Sequence, residues 1–292
     1  MKLSLRLGMT VVVLAVVAAT LSASGQDVVR GSFTRTLTVN GPMDVDVSTG
    51  SGDIRVRSGD SGKVVIRAKI QGHHGWSGGG SDLEARVREI ETHPPVEQDG
   101  NHLRVGHLSS ELGHNISIDY EMEVPVETSL NAQSGSGDLS VEGTHGSLEA
   151  HSGSGDVKIH DVQGSVRIHT GSGDAKFEGI TGERVEIETG SGDVELRDLH
   201  SALHVRTGSG DIEADGTPTG DWVLHTGSGG VTVKVPEGVG FDLDAHTNSG
   251  DISTGLTVEA QGTMGHGELR GKVRGGGVRL ELSTGSGDVN IQ

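Results

Sequence analysis

The chain has 292 residues, of which 49 are glycine, none is cysteine and only 2% are aromatic, and its formal net charge is −18. No disulfide framework can hold such a chain together. The acidic balance opposes binding to nucleic acid or anionic lipid headgroups, and it suits divalent cations, basic partners or plain solubility.

Residues 1–25 begin with Lys2 and Arg6, run apolar from Met9 to Leu21 and finish on Ala23-Ser24-Gly25. This is the three-part layout of a secretory signal peptide. The apolar run is shorter than the roughly 20 residues that a membrane-spanning helix needs, and no cysteine follows that could carry a lipid anchor. Cleavage would remove Lys2 and Arg6 and take the net charge from −18 to −20. The expectation is an exported protein with no membrane span after signal removal, located in the periplasm, outside the cell or on the surface of a bacterium.

Residues 26–131 read as the opening coils and N-terminal cap of the domain that continues through 132–292. Strand-like runs fall at Met43 to Val47, Ile54 to Arg57, Val64 to Ile70, Leu103 to Val105 and Ile116 to Val124. Leu83, Val87 and Ile90 recur at helical spacing behind Asp82, so Asp82 to Glu91 is expected to be a short helix. His73-His74-Gly75-Trp76-Ser77-Gly78-Gly79-Gly80 reads as a loop. Its His pair has no third ligand at a recognised metal spacing.

From Gln133 onward one phrase returns, Thr/Ser-Gly-Ser-Gly-Asp followed by an aliphatic residue. The aspartates Asp138, Asp156, Asp174, Asp193 and Asp211 are 18, 18, 19 and 18 residues apart, Gly230 takes the next place, and outlying copies end at Asp53, Asp251 and Asp288. Within one coil, Val157 and Ile159 alternate with polar residues. After a break at Gln163-Gly164, Val166, Ile168 and Thr170 do the same. Two period-two strands per repeat, with glycine at the corners, describe a parallel β-solenoid in which each coil buries its apolar side against its neighbours. The glycines are expected to set the corners, since glycine reaches positive φ without a Cβ penalty. Thr170, Thr189, Thr207, Thr226, Thr247 and Thr284 share one inward register, where stacked hydroxyls can bond from coil to coil. The interval from Asp251 to Asp288 is close to two repeats, so a coil that has lost its corner phrase is expected there.

The aspartate column would align like charges about 4.8 Å apart. Two readings remain open. Each Asp caps the backbone N–H groups of its own turn, or the column holds a row of Ca²⁺ ions as in nonapeptide β-rolls. A second column faces outward and reads His151, His169, Glu188, Arg206, His225 and His246. It predicts a Glu188–Arg206 pair and two stacked imidazole pairs, His151 with His169 and His225 with His246.

Tyr120-Glu121-Met122-Glu123-Val124-Pro125, Thr128-Ser129-Leu130, the serial S/T-G-S-G-D copies, Gly240-Phe241-Asp242-Leu243-Asp244 and the closing T-G-S-G-D-V together resemble the bacterial putative-adhesin family of unknown function, the toastrack domain. The resemblance covers roughly Asp44 to Gln292. It implies a β-solenoid found in exported or membrane-attached proteins, often associated with cell-envelope stress systems, and supplies no catalytic residues.

No nucleophile elbow, phosphate loop or zinc motif is present, so no catalytic, cofactor-binding or metal-ligating residue is assigned and no cofactor is expected. The favoured reading is a non-catalytic interaction module of the cell envelope, partnered by an envelope or surface protein or a polysaccharide and able to self-associate through its terminal coil edges. A Ca²⁺-stabilised roll and a carbohydrate-active β-helix enzyme are the alternatives, the latter disfavoured because carboxylates recur by period rather than in a cluster.

Overall fold

The computed structural model describes residues 28–73, 80–260, 265 and 267–292, with side chains described from residue 82 in the first helix. The expected signal peptide and all but the first and last residues of the His73–Gly80 loop lie outside these. Strands make up 66% of the fold and helix 6%.

In chain order the elements are β1 Val28–Thr38, β2 Met43–Thr49, β3 Ile54–Ser58, β4 Lys63–His73, α1 Gly80–Thr92, β5 Val96–Asp99, β6 His102–Val105, α2 Ser110–Gly113, β7 Ile116–Val124, β8 Thr128–Ser134 and β9 Leu139–Glu142. They continue with β10 Leu148–Ser152, β11 Val157–His160, β12 Val166–Ser172, β13 Ala175–Ser191, β14 Val194–Ser209, β15 Ile212–Ser228 and β16 Val231–Lys234. The chain closes with β17 Phe241–Ser249, β18 Ile252–Thr254, β19 Val258–Ala260, β20 Glu268–Val273, β21 Val278–Ser286 and β22 Val289–Ile291.

The repeat builds a stack with two long sides. On one, strands that lead into the glycine corner run parallel in the order β6, β2, β8, β10, β12, then the second halves of β13, β14 and β15, then β21 and β17. On the other, strands that leave the corner run β7, β3, β9, β11, the first halves of β13 to β15, β16, β22 and β18. A short third side carries Val162, Ile180 and Leu199 into the core, where all are fully buried. Alternation decides the rest. In β12, Val166, Ile168 and Thr170 are buried while Arg167 and His169 are exposed, and each aliphatic side chain removed from water stabilises the stack by roughly 1.5–3 kcal/mol.

The stack does not follow the order of the chain. Coil β2–β3 lies between β6–β7 and β8–β9, although it precedes both in sequence. At the far end, β21–β22 slots between β15–β16 and β17–β18: Leu280 faces Trp222 on one side and Leu243 on the other. The expected phrase-less coil between Asp251 and Asp288 is therefore replaced by something else. β20 pairs antiparallel with β17, and β19 antiparallel with β20, as a hairpin over the open edge. The terminal strand then turns back into the slot, because its own Thr284-Gly285-Ser286-Gly287-Asp288 phrase matches the corner stack and the hairpin sequence does not.

At the other end β4 joins β7 antiparallel and β1 joins β4, while β5 joins β6. Antiparallel strands end the parallel run and blunt its edge. Helix α1 covers this cap with buried Leu83, Val87 and Ile90. Two glycines make room for it, since a Cβ at Gly31 would stand 2.7 Å from Val87 Cγ1 and one at Gly72 2.9 Å from Leu83 Cδ1. Glu123 on β7 accepts from Arg57 on β3 and Arg67 on β4, both at 2.7 Å. The Arg67 and Arg57 guanidiniums hold its carboxyl down to about 2.

Candidate functional site

The corner is the one feature every regular coil shares. Its glycines are obligatory because coils touch through them: a Cβ at Gly192 would lie 2.1 Å from the Gly173 carbonyl oxygen, at a φ of +142° that L side chains avoid. The inward hydroxyls bond between coils, and their partners are corner carbonyls rather than one another. Thr226 Oγ1 donates to Gly210 O at 3.0 Å, Thr247 Oγ1 to Gly287 O at 2.9 Å and Thr284 Oγ1 to Gly229 O at 2.8 Å. Thr170 and Thr189 are buried with no partner for their hydroxyls.

The aspartates form a column as the spacing predicts, and they do not cap their own turns. Asp138 Oδ1 accepts from the backbone N–H of Asp156, Asp156 from Asp174, Asp174 from Asp193 and Asp193 from Asp211, at 2.8–3.1 Å. Asp211 accepts from Gly230, and the outlying copies join in, Asp53 beneath Asp138 and Asp288 beneath Asp251. Asp119, which belongs to no phrase, starts the ladder by accepting from Asp53. The reason is geometric. Stacked parallel coils bring the next coil's N–H within reach of the carboxylate, and that donor offsets the repulsion along the column. One oxygen of each ladder carboxylate is thereby committed to the backbone, and among the described residues no three His, Asp or Glu side chains group as a metal site.

The outward column is partly assembled as the sequence predicts. His151 and His169 are neighbours with ring centroids 6.0 Å apart. Glu188 lies opposite Arg206 in register, but the expected pair between them does not form; the Glu188 carboxylate reaches back instead to His169 Nδ1 at 3.4 Å. The expected His225–His246 pair does not form. Inserted β21 puts Ser283 between them, and Ser283 Oγ lies 2.7 Å from His225 Nδ1 while His246 Nε2 lies 2.9 Å from Asn248 Oδ1.

A cleft that sequence reasoning missed opens where the corner stack ends. Each first glycine of the phrase points its missing Cβ at the carbonyl of the coil before it, Gly153 at Gly135 and Gly135 at Gly50. At Gly50 nothing lies within 4 Å. The preceding coil, β6 to β7, has no S-G-S-G corner. It leaves through Gly106, His107, Leu108 and the capped turn of α2, where Ser109 Oγ accepts from Leu112 N, so its path lifts off the stack. The result is a cleft of about 770 Å³, walled by the corners of β2, β8 and β10 and by the Gly106–Gly113 segment, with Ile116, Ile118 and Tyr120 at its base. Tyr120 is fully buried, its hydroxyl has no partner, and burial pushes its ionisation up, so it stays protonated. Two imidazoles border the cleft, each backed by a carboxylate: His107 Nε2 stands 3.5 Å from Asp46 Oδ2 and His151 Nε2 3.1 Å from Glu149 Oε1. The signal in the sequence was the Ser109-Ser110 pair between Gly106 and Gly113, in a long coil without a corner phrase. On the opposite long side, a smaller cleft of about 420 Å³ is bordered by charged groups, among them Glu142, Lys158, Lys176, Glu178, Glu195 and Arg197.

Fold and corner chemistry define a parallel β-solenoid repeat protein. Residues 91–292 match the model of the Toastrack DUF4097 family, and the chain belongs to that family. It is similar to the crystal structure of a putative adhesin from Bacteroides fragilis, at 16% identity over 90% of this chain and 97% of that one, with a TM-score of 0.45. It is also similar to a putative lipid binding protein from Parabacteroides distasonis, at 13% identity over 89% and 96% of the two chains and a TM-score of 0.43. No curated protein matches it.

Proposed function

We propose that the protein is a non-catalytic, exported interaction module of the bacterial cell envelope. What supports this reading is the division of labour within each coil. Inward and corner positions repeat with little change, as glycine, Ser or Thr, aspartate and aliphatic residues. The outward row beside them changes from Ser48 to Gln133, His151, His169, Glu188, Arg206, His225, Ser283 and His246 along the stack. A rigid frame with a varied outer face suits recognition of an extended partner, an envelope or surface protein or a polysaccharide. The sequence of residues 1–25 supports export, and the edge of β18, which pairs only with β22 among the described residues, is the edge through which copies would associate. The test is fractionation of cells expressing the full chain, followed by co-sedimentation of purified protein with washed envelopes. Saturable binding by protein recovered outside the cytoplasm is expected. Cytoplasmic retention, or no binding to envelopes, would overturn the proposal.

A further inference from the structure

The cleft beside Gly50 has a lining unlike the rest of the molecule. Asp, Glu, Lys and Arg make up 22% of the chain, and none of them lines this cleft. Its volume falls in the range of small-molecule sites. Its walls offer the hydroxyls of Ser48 and Ser110, the amide of Gln133 and the imidazoles of His107 and His151. All of these are groups that donate and accept hydrogen bonds without a fixed charge. Leu108 adds a half-buried apolar side chain to the lining, while Ile116 and Ile118 are buried.

We infer that this cleft binds an uncharged saccharide, and the inference rests on the interaction-module reading above. An anion would meet no cationic side chain there, and it would approach a protein of net charge −18. A cation would find no carboxylate on the lining. A peptide strand would need a free backbone edge to pair with, but the corner amides are already used between coils, with Gly135 N donating to Thr49 O at 3.1 Å and Gly153 N to Ser134 O at 3.0 Å. A pyranose matches what is left, with hydroxyls for the Ser, Gln and His groups and a C–H face for Leu108. Gln133 and His151 continue the outward row that runs on to His169 and Glu188. A saccharide chain seated in the cleft therefore has a path along the coils.

The test is a glycan array of neutral hexose, N-acetylhexosamine and deoxyhexose oligomers, with hits measured by titration calorimetry on the full folded protein. Three variants accompany it: Gly50→Phe, which fills the cleft from a position with open space, Gln133→Leu, and Arg88→Ala on the exposed face of helix α1, away from both the cleft and the outward row. Saturable binding of a neutral oligosaccharide, weakened about tenfold or more by Gly50→Phe and by Gln133→Leu but unchanged in Arg88→Ala, is the expected result. Binding of no neutral glycan, binding unaffected by Gly50→Phe, or preference for anionic glycans or peptides would overturn it. Thermal melting of each variant separates loss of the cleft from loss of the fold. Envelope binding that survives in Gly50→Phe while no glycan binds would overturn the cleft assignment and leave the interaction-module reading standing.

Discussion

The backbone N–H of Asp174 donates to Oδ1 of Asp156, one coil away, at 3.1 Å. An aspartate in this column is thus an acceptor for its neighbour, and replacing it leaves that neighbour's amide unsatisfied. Asp156→Ala is expected to destabilise the protein by about 1–2 kcal/mol. Asp156→Asn, which keeps an acceptor and removes a like charge, is expected to cost much less. The column itself supplies the converse experiment, because Gly230 donates its N–H to Asp211 Oδ1 but has no side chain to accept in turn from Asp288, and a Cβ there would stand 3.4 Å from Asp288 O. Gly230→Asn is expected to be neutral or stabilising. Urea denaturation midpoints check all three.

Gly192 and Gly50 both belong to the corner phrase and have opposite surroundings. A Cβ at Gly192 collides with the Gly173 carbonyl, whereas at Gly50 it meets nothing within 4 Å. Gly192→Ala is expected to lower stability by roughly 1–3 kcal/mol, and Gly50→Ala to change it by less than about 0.5 kcal/mol. Equal losses in calorimetric melting would show that the corner stack does not end at Gly50.

Glu123 ties β3, β4 and β7 together, and its carboxyl is held down to about 2 by Arg67 and Arg57. A carboxylate whose folded value lies below its unfolded one stabilises the fold above the unfolded value of about 4.3, and that contribution is lost as pH falls toward the folded value. The side chain is 23% exposed, so the contribution is about 1 kcal/mol, as for pairs near the surface. The stability gap between the wild type and Glu123→Gln is expected to be full at pH 6 and to close between about pH 4.3 and pH 2. A gap unchanged across that range would contradict the ion-pair assignment.

The C-terminal strand occupies an interior place. Leu280, Leu282, Val289 and Ile291 are fully buried between coils, so the amides of β21 are expected to exchange as slowly as those of β14 despite their position in the sequence. A chain ended after Gly277 loses those four side chains, each worth roughly 1.5–3 kcal/mol, and leaves β15 and β17 without the strand between them. Hydrogen exchange read by mass spectrometry distinguishes this from a stack in chain order, where the last strand frays first.

How far the sequence reveals the molecule depends on whether a feature is periodic. The coils, the inward Thr register, the Asp column and the neighbouring rings of His151 and His169 follow from an 18 to 19 residue period, because each repeat position meets its own copy. Stacking order does not follow from it. Phrases at Asp53 and Asp288 fit any gap in the corner stack equally well, and only tertiary packing places them, which is why His225 meets Ser283 rather than His246. The partner of each Asp differs from the own-turn amides for a related reason: a turn seen alone offers its own amides, and only the stacked neighbour brings a closer one. The cleft exists where the period fails, between Val105 and Ile116, where no repeat position meets its own copy.

The most direct test of the account asks whether the outward row can be changed without the frame noticing and with loss of binding. His169→Ser, Glu188→Ser and Arg206→Ser combined alter three exposed side chains and leave the buried Ile168, Ile187, Val205 and their threonines in place. Co-sedimentation with washed envelopes, measured beside the melting temperature, is the measurement. A melting temperature within a few degrees of wild type together with at least tenfold weaker envelope binding is the predicted result; undiminished binding by the triple variant would contradict the claim that this face is what the solenoid exists to present.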